Sequence, residues 1–195
     1  MPLTPLDLPG ADVAMDATWL PAGEAGALFD ALYTGIAWET HRIRLFGREV
    51  DSPRLSCWIG DPGTRYMYSG TRFEPRPWPP ALLPIRARLL GELGVDFNSV
   101  LANLYRDGRD YMGWHADNER ELGARPIIAS LSLGATRRFV FKHRFEPSLK
   151  RELPLGCGSL LLMAGQTQAN HRHALPATAR SVGPRINLTF RRITA

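Results

Sequence analysis

From Arg185 to Arg191 the chain alternates without a break: Ile186, Leu188 and Phe190 fall on one side, and Arg185, Asn187, Thr189 and Arg191 on the other. A period of two belongs to an extended strand, so this stretch demands one dry face and one polar face. The polar face is either washed by solvent or turned inward, where its guanidinium forks would hold a small dianion in a pocket. Similar short runs fill the chain beyond Gly94, at 97–106, 127–133, 138–142, 149–155, 159–163 and 171–175, separated by Gly, Pro or charged turns. Seven or eight short strands predict an α+β, mostly β chain built as a jelly roll, also called a double-stranded β-helix, whose two sheets can enclose a small ligand.

The segment Trp114-His115-Ala116-Asp117 puts an imidazole and a carboxylate two residues apart, on one side of an extended chain. With one more histidine they would complete the 2-His-1-carboxylate set that holds non-haem Fe(II) and leaves positions open. His-x-Asp alone recurs by chance and equally describes a surface pair. The missing ligand must come from elsewhere. His171 and His173 are the candidates, the latter 173−117 = 56 residues beyond the aspartate and 185−173 = 12 before Arg185. Asn103 and Tyr105 share a face of the 97–106 run. In this order the motifs reinforce one another as a metal site beside an anion pocket.

At 195 residues the chain is long enough for one domain with a sizeable core. No apolar run approaches the roughly 20 residues that cross a bilayer. The segment 1–7 lacks the basic-then-apolar layout of a secretory signal. Cys57 and Cys157 have neither metal-like spacing nor a disulfide framework. These features predict an intracellular protein in a reducing setting, cytoplasmic in a bacterium or nuclear in a eukaryote, with no membrane partner. Charge is uneven: residues 1–40 carry six acidic groups and no Lys or Arg, so the remainder must carry 5−(−6) = +11. That basic body suits a polyanion such as nucleic acid, against the plainer role of keeping the surface soluble.

Residues 1–20 read as a poorly structured arm. A helix is expected over 22–37, with Leu28, Phe29, Leu32 and Ile36 as its core stripe, and another over 81–93, closed by Gly94. Between them, Leu45, Phe46 and Gly47 are flanked by arginines that include Arg48 and Arg54. The apolar pair suits either the core or an exposed hairpin tip able to wedge into a base stack. Tyr66 and Tyr68 lie on one face of a strand, as paired core aromatics or as a stacking platform for a base.

Taken together, these pieces resemble the AlkB family of Fe(II)- and 2-oxoglutarate-dependent nucleic-acid dealkylases. The likeness runs from about Arg42 to Ile193 and is carried by Asn103-Leu104-Tyr105, by the segments 115–119 and 173–176, and by Arg185–Arg191. Phe46-Gly47 and the tyrosine pair look most like the members that act on duplex DNA. The resemblance implies His115, Asp117 and His173 as iron ligands, with His171 as a neighbour. It implies Arg185 at the distal carboxylate of 2-oxoglutarate, Arg191 near its iron-chelating end, and Asn103, Tyr105, Asn187 and Thr189 as polar groups of that pocket. Asn118 and Glu119 would meet a flipped base, Leu45 and Phe46 with Gly47 would form the wedge, Arg54 would help hold nucleic acid, and Tyr66 and Tyr68 would wall the base pocket. Asn118 stands where some relatives have Asp. The implied chain is a monomeric jelly-roll dioxygenase over 21–195 with residues 41–70 as a nucleotide-recognition lid. It would use Fe(II), 2-oxoglutarate and O2 to demethylate 1-methyladenine and 3-methylcytosine in DNA, duplex as well as single-stranded. Rival readings are an RNA demethylase, a protein hydroxylase, or a binding module without catalysis. The full triad and both arginines argue against the last.

Overall fold

The computed structural model describes residues 3–45, 48–64, 66–68, 71–73 and 75–194, and at 43–45, 48–49, 66–68 and 71–73 the backbone alone. In chain order the elements begin with β1 (Thr4–Pro5), β2 (Asp12–Asp16), α1 (Ala22–Gly35), β3 (Glu39–Leu45) and β4 (Arg48–Gly60). Next come β5 (Tyr66–Tyr68), β6 (Thr71–Phe73), α2 (Leu83–Leu93), β7 (Ser99–Tyr105), β8 (Met112–His115) and β9 (Ile128–Gly134). The last are β10 (Arg137–His143), β11 (Lys150–Leu155), β12 (Leu160–Ala164), α3 (Thr167–Asn170), β13 (His171–Leu175) and β14 (Arg185–Arg191).

The alternation of β14 places it at the centre of the fold. Among the described residues eight strands form one sheet in the order β1-β2-β12-β9-β14-β7-β4-β3, and four form a second in the order β11-β10-β13-β8. Ile186, Leu188 and Phe190 are fully buried on the outer face of the large sheet, against Leu28 and Leu32 of α1 and Ile85 and Leu89 of α2. Burying each such side chain is worth about 1.5–3 kcal/mol, which fixes the strand's facing. The opposite face looks toward the small sheet, where Tyr105, Ile128 and Met163 meet Phe139, Phe141 and Leu175 in a second core. Two antiparallel sheets packed face to face, with helices on one flank, make the expected jelly roll. The polar side of β14 is therefore enclosed between layers.

Both predicted helices form. Helix α1 buries Ala25, Leu28 and Leu32 and stops at Gly35, just before Ile36 turns extended. Helix α2 closes on Gly94, whose backbone is left-handed at φ 66° and whose N–H caps the Leu90 carbonyl. Glycine adopts that conformation without steric penalty.

The N-terminal arm is a correction. Residues 1–20 were expected to lack regular structure, yet β1 pairs with β2 and β2 with β12, in register from Leu160↔Asp16 to Ala164↔Asp12. Leu8, Val13, Trp19 and Leu20 are buried. The Leu20 N–H bonds the Gly158 carbonyl, and at Gly158, with φ 80°, an added Cβ would collide with the Leu20 carbonyl. The Trp19 indole donates to Glu92 at 2.6 Å, and the Arg88 guanidinium lies 4.1 Å from its ring centroid. The acidic composition hid a five-residue strand whose partner is far along the chain.

Residues 55–60 of β4 pair with β7, whereas from 42 to 51 the strands β3 and β4 pair with each other in a ribbon that overhangs the sheet. No helix among the described residues is long and apolar enough to cross a membrane.

Candidate active site

Strands β8 and β13 are neighbours in the small sheet, and their register sets His115 directly opposite His173. The two rings sit 4.2 Å apart between centroids. Just past β8 the chain turns so that Asp117 Oδ2 comes within 3.8 Å of His173 Nε2. One ligand atom from each of the three residues falls within 4.8 Å of the others, the spread expected of groups that share a single ion. The His115 Nδ1 lies 2.9 Å from the Gly113 carbonyl, so the tautomer protonated there donates to it and leaves Nε2 as a lone pair for metal.

Electrostatics favour the ligating protonation states. Burial raises the Asp117 carboxyl, but the Arg191 guanidinium, bonded at 2.8 Å to Oδ1, and the two imidazoles hold it down at about 2. Burial, with some help from His115, lowers His173 to about 3, so its imidazole is neutral near pH 7. The Asp117 N–H donates to the buried Gln168 Oε1 at 2.9 Å and steadies the turn that carries the carboxylate.

Beside this cluster lies the polar face of β14. One cavity between the sheets is lined by Asn103, Tyr105, Arg185, Asn187, Thr189 and Arg191 together with His115, Asp117 and His173. The pairing of β7 with β14 explains the convergence, because Tyr105 opposes Arg185 and Asn103 opposes Asn187. Asn187 Nδ2 donates to Ser130 Oγ at 2.8 Å, and Thr189 Oγ1 to Asn187 Oδ1 at 3.2 Å. Arg185 is 1% exposed and donates through Nη2 to Ser132 Oγ at 2.9 Å, with the Tyr105 ring 5.3 Å away. Its Nε and Nη1 are buried and meet no acceptor among the described residues. Burial lowers this guanidinium to about 10, which still leaves it cationic at neutral pH. A sealed cation with two unmatched donors fits a site made for an anion. Two imidazoles with a carboxylate likewise fit a divalent iron.

Asn118 and Glu119 follow Asp117 outside that cavity, the first exposed and the second half-buried. Phe46 and Gly47 lie outside the described residues, as do the side chains of Leu45, Tyr66 and Tyr68. Arg54 is placed differently from the expectation: it is buried on β4 and bonds Asn103. His171 is also buried, its ring 4.9 Å from His143, and stands outside the metal cluster. Ser130, Ser132 and Gln168 escaped the sequence reading. The alternation Ser-Leu-Ser-Leu over 130–133 was the available signal for the serines.

Comparison with known proteins agrees with this geometry. The sequence model of the 2OG-Fe(II) oxygenase superfamily matches residues 12–191. The human DNA oxidative demethylase ALKBH2 is 41% identical over 180 residues, covering 87% of this chain and 69% of that protein. The Bos taurus alpha-ketoglutarate-dependent dioxygenase alkB homolog 3 is 40% identical over 179 residues, covering 87% and 62%. The chain thus spans about two thirds of the length of these relatives. The solved structure of OsALKBH1 superposes with a TM-score of 0.67 at 14% identity, over 98% of this chain and all (100%) of the other, a likeness of fold.

Proposed function

The chain belongs to the 2OG-Fe(II) oxygenase superfamily and, within it, to the AlkB family, and on that premise we propose that it demethylates N-alkylated bases in DNA, 1-methyladenine and 3-methylcytosine foremost. The single observation that carries the reading is the buried triad His115, Asp117 and His173 beside the unsatisfied guanidinium of Arg185. Fe(II) held by the triad supplies, with 2-oxoglutarate and O2, the oxidation of an N-methyl carbon, coupled to release of succinate and CO2. The hydroxymethyl group so made leaves as formaldehyde.

The protein's own work is placement. Arg185 neutralises one carboxylate of the keto-diacid, and Asn103, Tyr105, Asn187 and Thr189 complete its polar cradle. Arg191 keeps the Asp117 carboxylate ionised and aimed, which preserves the ligand set. A damaged base is flipped from the stack at a cost of a few kcal/mol, least for one that cannot pair. Methylation at N1 of adenine or N3 of cytosine abolishes pairing and leaves a cation. Glu119 favours that cation, and Asn118 contacts its edge. Within the 41–70 lid, Leu45, Phe46 and Gly47 act as the wedge, and Tyr66 and Tyr68 wall the flipped base. The substrate is DNA, duplex as well as single-stranded, handled by a monomer inside the cell, in bacterial cytoplasm or a nucleus.

The test is incubation with Fe(II), 2-oxoglutarate and oligonucleotides carrying either lesion, as DNA and as RNA, read by mass. Loss of one methyl group from DNA with matching succinate supports the proposal. Turnover confined to RNA, or none in any oligonucleotide, overturns it. Replacing His115 or Asp117 by Ala abolishes turnover if the ligand assignment holds.

A further inference from the structure

We infer that Arg54 is a positioning residue for the cosubstrate pocket, fixing the Asn103 amide so that its Nδ2–H group, and not its oxygen, faces bound 2-oxoglutarate. The inference rests on the function proposed above and assigns Arg54 a task other than contact with nucleic acid.

Arg54 lies on β4, where the register Leu55↔Leu104 and Ser56↔Asn103 brings it beside β7. The residue is 4% exposed, so its charge faces the protein interior. Nε donates to Asn103 Oδ1 at 2.7 Å and Nη1 to Ser52 Oγ at 3.1 Å, and Ser52 is itself buried. Asn103 in turn lines the cavity that holds the triad and Arg185.

The chemistry of the two groups settles the amide's orientation. A guanidinium nitrogen donates and never accepts, so the Asn103 atom that meets Arg54 has to be the carbonyl oxygen. The reversed amide would oppose two donors across 2.7 Å. With its oxygen engaged, Asn103 has its Nδ2 donors left for the cavity. A keto-diacid offers acceptors alone, so the correct amide attracts it, whereas a flipped one would turn lone pairs toward a carboxylate. The buried charge behind the oxygen also polarises the amide and strengthens the donors at its other end. Asn103 could take either orientation on its own; Arg54 removes the choice.

Titration of 2-oxoglutarate into the Mn(II)-loaded protein by calorimetry tests this without turnover. Arg54→Met should raise the dissociation constant about tenfold, as expected for loss of one hydrogen bond to a charged ligand. Asn103→Ala should do at least as much, and the double variant no more than Asn103→Ala alone, because Arg54 acts through the amide. Arg54→Lys should recover part of the loss. An unchanged constant for Arg54→Met, or losses that simply add, overturns the inference. So does weaker binding of a duplex oligonucleotide, by fluorescence anisotropy, with 2-oxoglutarate affinity intact. If Arg54→Met does not fold, Asn103→Asp carries the test. It keeps an acceptor for Arg54 and deletes the donor to the cavity, so the folded variant must bind at least about tenfold more weakly, and wild-type affinity overturns the inference. Failure of the unaltered protein to bind 2-oxoglutarate would instead defeat the functional proposal, and this inference with it.

Discussion

An arginine sealed from water with two unmatched donors is a burden to the protein until an anion arrives. Arg185 is in that position. Arg185→Met should therefore leave the ligand-free protein as stable as before or more so, while abolishing the rise in melting temperature expected when 2-oxoglutarate binds the Mn(II)-loaded wild type. Thermal denaturation with and without the diacid checks both halves. Acid acts on the triad in a definite direction. His173 is lowered from 6.5 to about 3, so between those values the unfolded chain binds more protons than the folded one. Stability must then fall as pH drops below 6.5. Asp117, lowered from 3.8 to about 2, contributes stability present above 3.8 and lost as pH falls through 2. The urea midpoint of the metal-free protein should decline from pH 6.5 downward, and His173→Phe should flatten the upper part of that decline. Arg185 and the pair His115 and Asp117 were legible in the sequence, because a period of two states which residues share a face, whereas the choice of His173 over His171 came from the family resemblance. Arg54 was not, because its facing depends on how β4 registers against β7, and flanking arginines suggested a surface instead.

At the scale of elements, β2 and its connection to α1 show what local reading leaves out. Five residues of mixed polarity, Asp12–Asp16, carry little signal by themselves, and the edge of β12 that completes them lies about 150 residues on. Trp19 anchors this segment through Glu92 and Arg88. Trp19→Ala should cost about 3–5 kcal/mol, measured by urea unfolding. The strands of the roll, by contrast, were readable nearly to their ends, since Gly, Pro and charged turns break the apolar alternation wherever a strand stops. The wedge proposed at Leu45, Phe46 and Gly47 belongs to this scale as well. Phe46→Ala should depress activity on duplex more than on single strands, and comparing initial rates on the two substrates decides it. Equal losses on both would remove the wedge.

For the molecule as a whole, the strands and helix within residues 3–40 are built into the fold, and the acidic first forty residues precede a basic remainder of +11. Phosphate contacts by that remainder should dominate affinity for DNA. The logarithm of the duplex association constant is then expected to fall linearly and steeply with the logarithm of salt concentration, as a fluorescence titration series would show. A flat dependence would mean that the positive charge serves another purpose. The architecture has a consequence of its own. The histidines of the proposed iron site hang from the four-stranded layer, with Asp117 just past it, the arginines and asparagines of the proposed anion slot hang from the eight-stranded one, and the Arg191–Asp117 contact spans the seam. The proposed catalytic centre is thus a gauge of alignment: a small slip of one layer across the other would silence it while every strand stayed intact.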